Sequence, residues 1–280
     1  IQQGCDHRCT FCVIPFGRGN NRSIPSDQII ENAKNLTNFG HKEIVLTGVD
    51  IASWGKDLDG HKGLGYLVKL IIKNVKNLAR LRLSSVDPAE IDSELIDAFS
   101  NEKKLMPHLH LSIQHGNDII LKRMKRRHLY RDVIDLFNEV KYSRPDIVLG
   151  ADFIAGFPTE NDRAHKDSLE LIEEAEICWG HIFPYSSKVG TVAAKMPQLN
   201  KKIRQLRARQ LREKCYDNLK KWLKKQIGVK TNVLMESSHS GRTEHFASVR
   251  LTNGQIPGNI KKIKIIDIEE PYLIGETIND

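Results

Sequence analysis

Three thiols crowd into one short loop. The run Gly4-Cys5-Asp6-His7-Arg8-Cys9-Thr10-Phe11-Cys12 sets cysteines at CxxxCxxC spacing, with an aromatic residue before the last. Such a loop can hold three corners of an iron–sulfur cubane and leave the fourth iron open to a chelating ligand, whereas an electron-transfer ferredoxin closes all four corners with cysteine. No fourth cysteine follows nearby. Cys178 and Cys215 stand alone, in runs that read as a strand and a helix, and are expected to be small buried hydrophobes. Zinc is the rival occupant: it would take the three thiolates plus His7 or a distant ligand in a closed tetrahedron. The second Cys or His pair that usually completes a structural zinc site is missing from the sequence. Crowded thiols of this kind do not resemble a secreted disulfide framework, and a reducing cytoplasm is the expected setting.

A formal charge of +8 and a pI near 9.2 make a polyanionic partner plausible, because Lys and Arg gain affinity by displacing the counterions of phosphates. A hydrophobic content of 40% supports a sizeable core, yet no apolar run approaches the roughly 20 residues that cross a bilayer. The chain opens on Ile1 with the thiol loop almost at once, as expected of a fragment whose N-terminal portion lies outside it.

The elements that must position the loop follow from hydrophobic periodicity. Apolar, β-branched runs alternate with amphipathic segments as far as Met196, the pattern of repeated βα units on a parallel sheet. Strands are expected over 1–4, 43–49, 80–85, 109–113, 147–155 and 178–184. Helices are expected from a Ser26 cap to Gly40, over 64–76, 93–99 and 162–176, with two more between Asn117 and Tyr142. About six units predict a curved, partly open barrel rather than the closed eight of a TIM barrel. Thr47-Gly48-Val49-Asp50, Ser84-Ser85-Val86-Asp87, Gln114-His115-Gly116, Gly156-Phe157-Pro158-Thr159-Glu160 and Pro184-Tyr185-Ser186-Ser187 then fall at C-terminal strand ends, the functional rim of an α/β barrel. Asn200 to Gln226 predicts one long basic helix with Leu206, Leu211, Leu219, Trp222 and Leu223 as its apolar stripe. Beyond Gly228, β-rich runs at 231–235, 247–251, 260–268 and 272–274 predict a small β-barrel, giving domains at 1–227 and 228–280.

With its thiol loop at the mouth of a βα barrel, the chain resembles the radical S-adenosylmethionine (SAM) enzymes. Cys9-Thr10-Phe11-Cys12-Val13-Ile14-Pro15-Phe16-Gly17-Arg18-Gly19, Leu46-Thr47-Gly48-Val49, Arg82-Leu83-Ser84-Ser85-Val86-Asp87-Pro88, His108-Leu109-His110-Leu111-Ser112-Ile113-Gln114 and Asp152-Phe153-Ile154-Ala155-Gly156-Phe157-Pro158 resemble the methylthiotransferases in sequence and order. Within that family the resemblance is closest to the enzymes that act on N6-threonylcarbamoyladenosine of tRNA. The segment Gly241 to Leu251 is similar to their C-terminal RNA-binding TRAM domain. Relatives that act on isopentenyladenosine in tRNA, or on a ribosomal-protein aspartate, share the barrel and loop. A noncatalytic RNA-binding protein with a structural metal loop is the reading from a different class.

The resemblance implies an α/β fold, a partial (βα)6 radical SAM barrel followed by a TRAM-like β-barrel, in a cytoplasmic monomer. It implies a 4Fe-4S cluster on Cys5, Cys9 and Cys12 that holds SAM, an electron donor of the reductase or flavodoxin type, and tRNA as partner. Arg126 would meet the SAM carboxylate and Thr47 and Gly48 its ammonium. Gln114, Asp152 and Ser85 would lie near ribose and methionine, with Gly156 and Pro158 shaping the adenine's exit and Tyr185 closing the substrate cavity. Among many basic residues, Arg207, Lys221, Arg242 and Arg250 would contact RNA phosphates. Family members carry a further N-terminal domain with a second 4Fe-4S cluster, which this sequence does not include. His115 stands where relatives have Ser, and Thr191-Val192-Ala193 where they have Thr-Pro-Ala.

Overall fold

A computed structural model describes residues 1–278. Strand β1 (Gln2–Gln3) leads into the cysteine loop and the short helix α1 (Ile14–Arg18), and β2 (Arg22–Ser23) pairs back antiparallel on β1. Then come α2 (Ser26–Asn38), β3 (Glu43–Leu46), α3 (Leu64–Asn74), β4 (Arg80–Leu83), α4 (Ser93–Asn101) and β5 (His108–Gln114). Helices α5 (Asp118–Met124) and α6 (Tyr130–Ser143) precede β6 (Val148–Ala155), α7 (Asp162–Glu174) and β7 (Trp179–Pro184). The long α8 (Lys201–Lys224) leads to β8 (Lys230–Met235), β9 (Ser240–Thr243), β10 (Ser248–Leu251), β11 (Ile260–Glu269) and β12 (Tyr272–Thr277).

β3 pairs parallel with β4, and β5, β6 and β7 form a second parallel sheet. Single parallel bridges, Gln2 with Gly48 and Val86 with Leu111, tie β1 to the end of β3 and β4 to β5. The six parallel strands therefore run in chain order around an open barrel, as the six expected units require. The helices bury one stripe each. In α3, Leu64, Leu67, Val68 and Ile71 recur at helical spacing and all lie in the core.

The C-terminal strands close into a barrel in the order β10-β12-β11-β8-β9. Strand β9, of sequence Ser-Gly-Arg-Thr, was outside the expected set because it lacks the apolar alternation that marks a strand. Ser26 also corrects one expectation. Helix α2 begins at Ser26 itself, its N-cap position is Pro25, and no side chain caps it.

Helix α8 lies along β7 and α7, burying Ala208, Leu211, Cys215, Leu219 and Leu223. Leu206, placed in the expected stripe, is instead exposed. Close approach depends on Gly180 of β7, where an added Cβ would stand 2.5 Å from Cys215 Sγ and 3.0 Å from its Cβ. Gly180→Ala should therefore cost about 1–3 kcal/mol through overpacking. Denaturant midpoints measure this, with Cys215→Ala on the same background recovering part of the loss.

Two arginines join the barrels. Arg80 and Arg82 on β4 are buried, and Arg82 pairs with Glu43 at 3.1 Å. Arg80 donates to the carbonyls of Arg242 (3.2 Å) and Asn232 (2.8 Å), and Arg82 to that of Glu244 (3.2 Å). The small barrel thus seats against one end of the larger one, where Phe246 stacks on His108 at 5.2 Å between centroids.

Candidate functional site

The cysteine loop is fixed from three sides. Gly4 has φ +72°, and a Cβ there would fall 1.8 Å from Asn20 O, so only glycine permits the closure in which Cys5 N donates to Gly19 O at 3.0 Å. Thr10 N donates to Met124 O (3.1 Å), Thr10 Oγ1 donates to Arg123 O (2.8 Å), and Ala193 N donates to Thr10 O (2.9 Å). Phe11 meets Phe157 edge-on at 6.5 Å. The end of α5, the turn at Ala193 and Phe157 beyond β6 thus hold the loop in place.

Cys5, Cys9 and Cys12 line one cavity of about 160 Å³ together with Asp50, Ser85, Asp87, Ser112, Gln114 and Arg126. The sulfurs already face donors suited to thiolates. His7 N reaches Cys5 Sγ and Ile14 N reaches Cys12 Sγ, each at 3.4 Å, and Arg126 Nη1 lies 3.9 Å from Cys9 Sγ. Burial pushes the Cys5 thiol up to about 12, against the pull of the His7 N–H. Burial raises Cys9 as well, with the Arg126 charge opposing it. Two half-buried sulfurs that resist ionisation on their own are suited to a cationic metal partner, which supplies the missing charge. Three convergent thiols with N–H donors, beside an arginine, fit a site-differentiated cluster.

Arg126 is oriented by Asp87 Oδ2 (3.0 Å) and the Ser112 carbonyl (2.6 Å), and its buried Nε has no partner. Gln114 has φ +73° at a break in the β5–β6 register, a left-handed conformation that a non-glycine residue adopts only under constraint. His7 sits 2.9 Å from Asp50 and 3.5 Å from Glu90, and bonding to Asp50 first and Glu90 second lifts its pKa to about 9. The sequence marks Asp50 and Asp87 only by their position on the strand-end rim, and Glu90, in the turn Pro88–Glu90 beyond β4, carries no such mark.

A second cavity, of about 810 Å³, opens between β4–β7, α8 and Phe246, and it shares Ser85 with the cysteine cavity. Asp152 lies here, away from the thiols. His110 Nε2 and His181 Nδ1 stand 3.2 and 3.3 Å from its Oδ1, and Ser112 Oγ donates to Oδ2 at 3.4 Å. Burial raises the Asp152 carboxyl, but bonds and charge from the two imidazoles outweigh it and leave the pKa below the usual range. His108 is 5% exposed and neither ring nitrogen has a partner among the described residues, so burial drives its pKa well below 6.5. The sign follows. This neutral histidine contributes stability above pH 6.5 that is lost as pH falls toward the folded value, at about 1.4 kcal/mol per pH unit. Denaturation midpoints between pH 7 and 5 should fall less steeply in His108→Phe.

Behind the rim, Glu160 organises a buried network that sequence reading missed. It accepts from Gly156 N (2.7 Å), Phe157 N (3.1 Å) and Arg207 Nη1 (3.0 Å), and lies 3.1 Å from His115 Nε2. His115 Nδ1 accepts from Asn117 N at 3.0 Å, which leaves the proton on Nε2 facing Glu160.

Three expected roles therefore change. Arg207 is 6% exposed, held by Glu160 and Asp162, and is spent inside the protein rather than offered to RNA. Tyr185 is not at a free rim but packs in the core against Phe157, at 5.6 Å. Thr47 and Gly48 line a shallow depression beside β1 rather than the cysteine cavity. Among the other basic candidates Lys221 is exposed, Arg250 lies over the Tyr272 ring, and Arg242 pairs with Glu236 and covers the Phe246 ring. Arg204 and Arg212 of α8 donate to the carbonyls of Tyr185 and Ile182, each at 2.6 Å, so with Arg207 three of that helix's cations close the barrel.

A threonylcarbamoyladenosine tRNA methylthiotransferase, MtaB, of Rickettsia prowazekii is 44% identical over 98% of this chain and 65% of its own length. A tRNA-2-methylthio-N(6)-dimethylallyladenosine synthase of Neorickettsia sennetsu is 35% identical over 95% of this chain and 58% of its own. The chain thus spans less than two thirds of these curated relatives. In fold it is similar to the radical SAM methyltransferase TsrM of Kitasatospora setae (TM-score 0.53, 16% identity, 68% of this chain and 37% of that one). It is likewise similar to coproporphyrinogen III oxidase, HemN, of Escherichia coli (TM-score 0.51, 15% identity, 81% and 52%). The profile of the radical SAM superfamily matches residues 1–172. Because that match runs through the cysteine loop and every barrel strand up to β6, the chain belongs to the radical SAM superfamily.

Proposed function

We propose that this chain is the cluster-bearing part of a methylthiotransferase that modifies carbon 2 of N6-threonylcarbamoyladenosine in tRNA. The observation that carries the reading is the meeting of two cavities at Ser85, one lined by three thiols and the other large enough for a nucleoside. When bound, a 4Fe-4S cluster with SAM supplies a one-electron cleavage and a radical able to take hydrogen from an unactivated carbon. Cys5, Cys9 and Cys12 would hold three irons. Arg126, already oriented by Asp87, would meet the SAM carboxylate, and Ser85 and Gln114 its remaining polar edge. Asp152 would act from the side of the larger cavity.

The higher identity to the threonylcarbamoyladenosine relative supports this substrate over a dimethylallyl one. The cavity chemistry agrees: unpartnered nitrogens of His108 and Trp179, with His110, His181 and Arg212, suit an oxygen-rich, carboxylate-bearing substituent better than a hydrocarbon one. Lys221, Arg242 and Arg250 remain the proposed phosphate contacts. A flavodoxin-type donor would supply electrons, and sulfur handling is assigned to a second cluster outside these residues.

Anaerobic reconstitution should load about four irons per chain and yield 5′-deoxyadenosine under reduction. Zinc in the cysteines without turnover would leave only an RNA-binding barrel. Mass spectrometry of tRNA nucleosides from cells lacking the gene should show loss of 2-methylthio-threonylcarbamoyladenosine; an unchanged level refutes the substrate.

A further inference from the structure

We propose that His110, Asp152 and His181 form a second metal site, one that takes a borderline divalent transition ion of the zinc or ferrous class on the wall of the large cavity. The inference goes beyond the proposed reaction by giving three residues of the larger cavity a metal to hold, and it does not depend on the cluster, since none of the three lines the cysteine cavity.

The donors come from three adjacent strands. His110 is on β5, Asp152 on β6 and His181 on β7, with His110 paired to Gly150 and Asp152 paired to His181 in the parallel register. Paired strands hold side chains more firmly than loops do, as a preorganised site requires. Both imidazoles address one carboxylate oxygen, at 3.2 and 3.3 Å, and all three donor atoms lie within 4.8 Å of one another. Ligand atoms about 2.0–2.1 Å from a tetrahedral ion stand about 3.3 Å apart. Charge-assisted hydrogen bonds draw in to about 2.7–2.9 Å. The two imidazole–carboxylate spacings match those of a coordination shell as well as those of long hydrogen bonds, and the metal titration below separates the two.

The surroundings support the same reading. Gly150 leaves room for the His110 ring: a Cβ there would fall 2.3 Å from Nδ1, and the ring so seated presents Nε2 to Asp152. Ser112 Oγ donates to the second carboxylate oxygen, the outer contact that orients a ligating carboxylate. Two imidazoles and one carboxylate leave open coordination positions, as in catalytic zinc and ferrous centres. Independently, the same cavity holds His108, 5% exposed with both ring nitrogens unpartnered, and the buried, unpartnered Nε1 of Trp179. Waters or an oxygen-bearing ligand on those open positions would satisfy them. His181, with its side chain 66% exposed, gives the ion a way in.

The test uses the 280-residue chain with its cluster reconstituted anaerobically, so that the loop thiols are filled. Zinc is titrated against a chelator while iron is counted on the same sample. One zinc per chain beyond the iron is expected. His181→Ala and Asp152→Asn should weaken zinc binding by about 100-fold or more, exceeding the loss seen for outer-shell changes, with iron unaltered. Cobalt(II) should give d–d absorption without thiolate charge transfer, and zinc binding should persist when Cys5, Cys9 and Cys12 are all replaced by Ala. Equal zinc affinity in wild type and both variants, or cobalt that reports only thiolate, overturns the site. Iron content and 5′-deoxyadenosine formation report separately on the proposed reaction, so either reading can fail alone.

Discussion

Cys9→Ala should abolish the cluster: iron after anaerobic reconstitution falls from about four per chain to near none, and 5′-deoxyadenosine formation under reduction falls below detection. Two thiolates cannot close three corners of a cubane. Arg126 Nη1 also lies 3.9 Å from Cys9 Sγ, so the substitution removes both a ligand and the sulfur that the arginine faces. Cys178 and Cys215 are the controls. Both are buried, on β7's approach and on α8, and burial pushes each thiol up to about 12, the condition of an inert packing residue. Their alanine variants should retain full iron. Iron lost equally from Cys215→Ala and Cys9→Ala would remove the loop from its assigned role.

Glu160→Ala should cost about 3–5 kcal/mol of stability, read as a lowered denaturation midpoint, because it strips the common partner from a buried network. Arg207 would lose its buried carboxylate and keep the residue-160 carbonyl (3.0 Å) and Asp162, whose side chain is fully exposed, and His115 Nε2 would lose the oxygen now 3.1 Å away. The amides of Gly156 and Phe157 would lose their acceptor too. Gly156 sits at φ +71° against α8, where a Cβ would fall 2.5 Å from Arg204 Cγ, so the turn has little freedom to find another acceptor. Glu160→Gln should cost less, since the amide oxygen can still accept from one or two of these donors. Lys221→Ala, on an exposed stretch of the same helix, should leave stability nearly unchanged. A Glu160→Ala midpoint within error of wild type would show that the network carries no weight.

The class of fold was legible because its signals are local. Alternating apolar runs at periods near 2 and 3.6 mark the βα units, and the thiol loop announces its chemistry by spacing alone. Even the positive φ at Gly40 that closes α2 can be read from the residue type. Strand β9 escaped because a four-residue Ser-Gly-Arg-Thr run has no hydrophobic period, and it exists through its pairing with β8 and β10. Asp152 was read as a cofactor contact from its place in a motif, but the direction of its side chain depends on the neighbouring strands that present His110 and His181.

The sequence by itself determined the βα repeat, the thiol loop, the long basic helix and the small β-barrel, since each depends on residues close together in the chain. It could not say which charges are spent internally. Arg80, Arg82, Arg204, Arg207 and Arg212 look like surface cations in a row of letters, yet each donates to a carbonyl or carboxylate from a distant segment. Only the tertiary structure decided this, because a buried guanidinium is tolerable solely where another part of the chain brings acceptors to it. The same holds for the two cavities that meet at Ser85: their walls come from strands brought together only when the barrel forms.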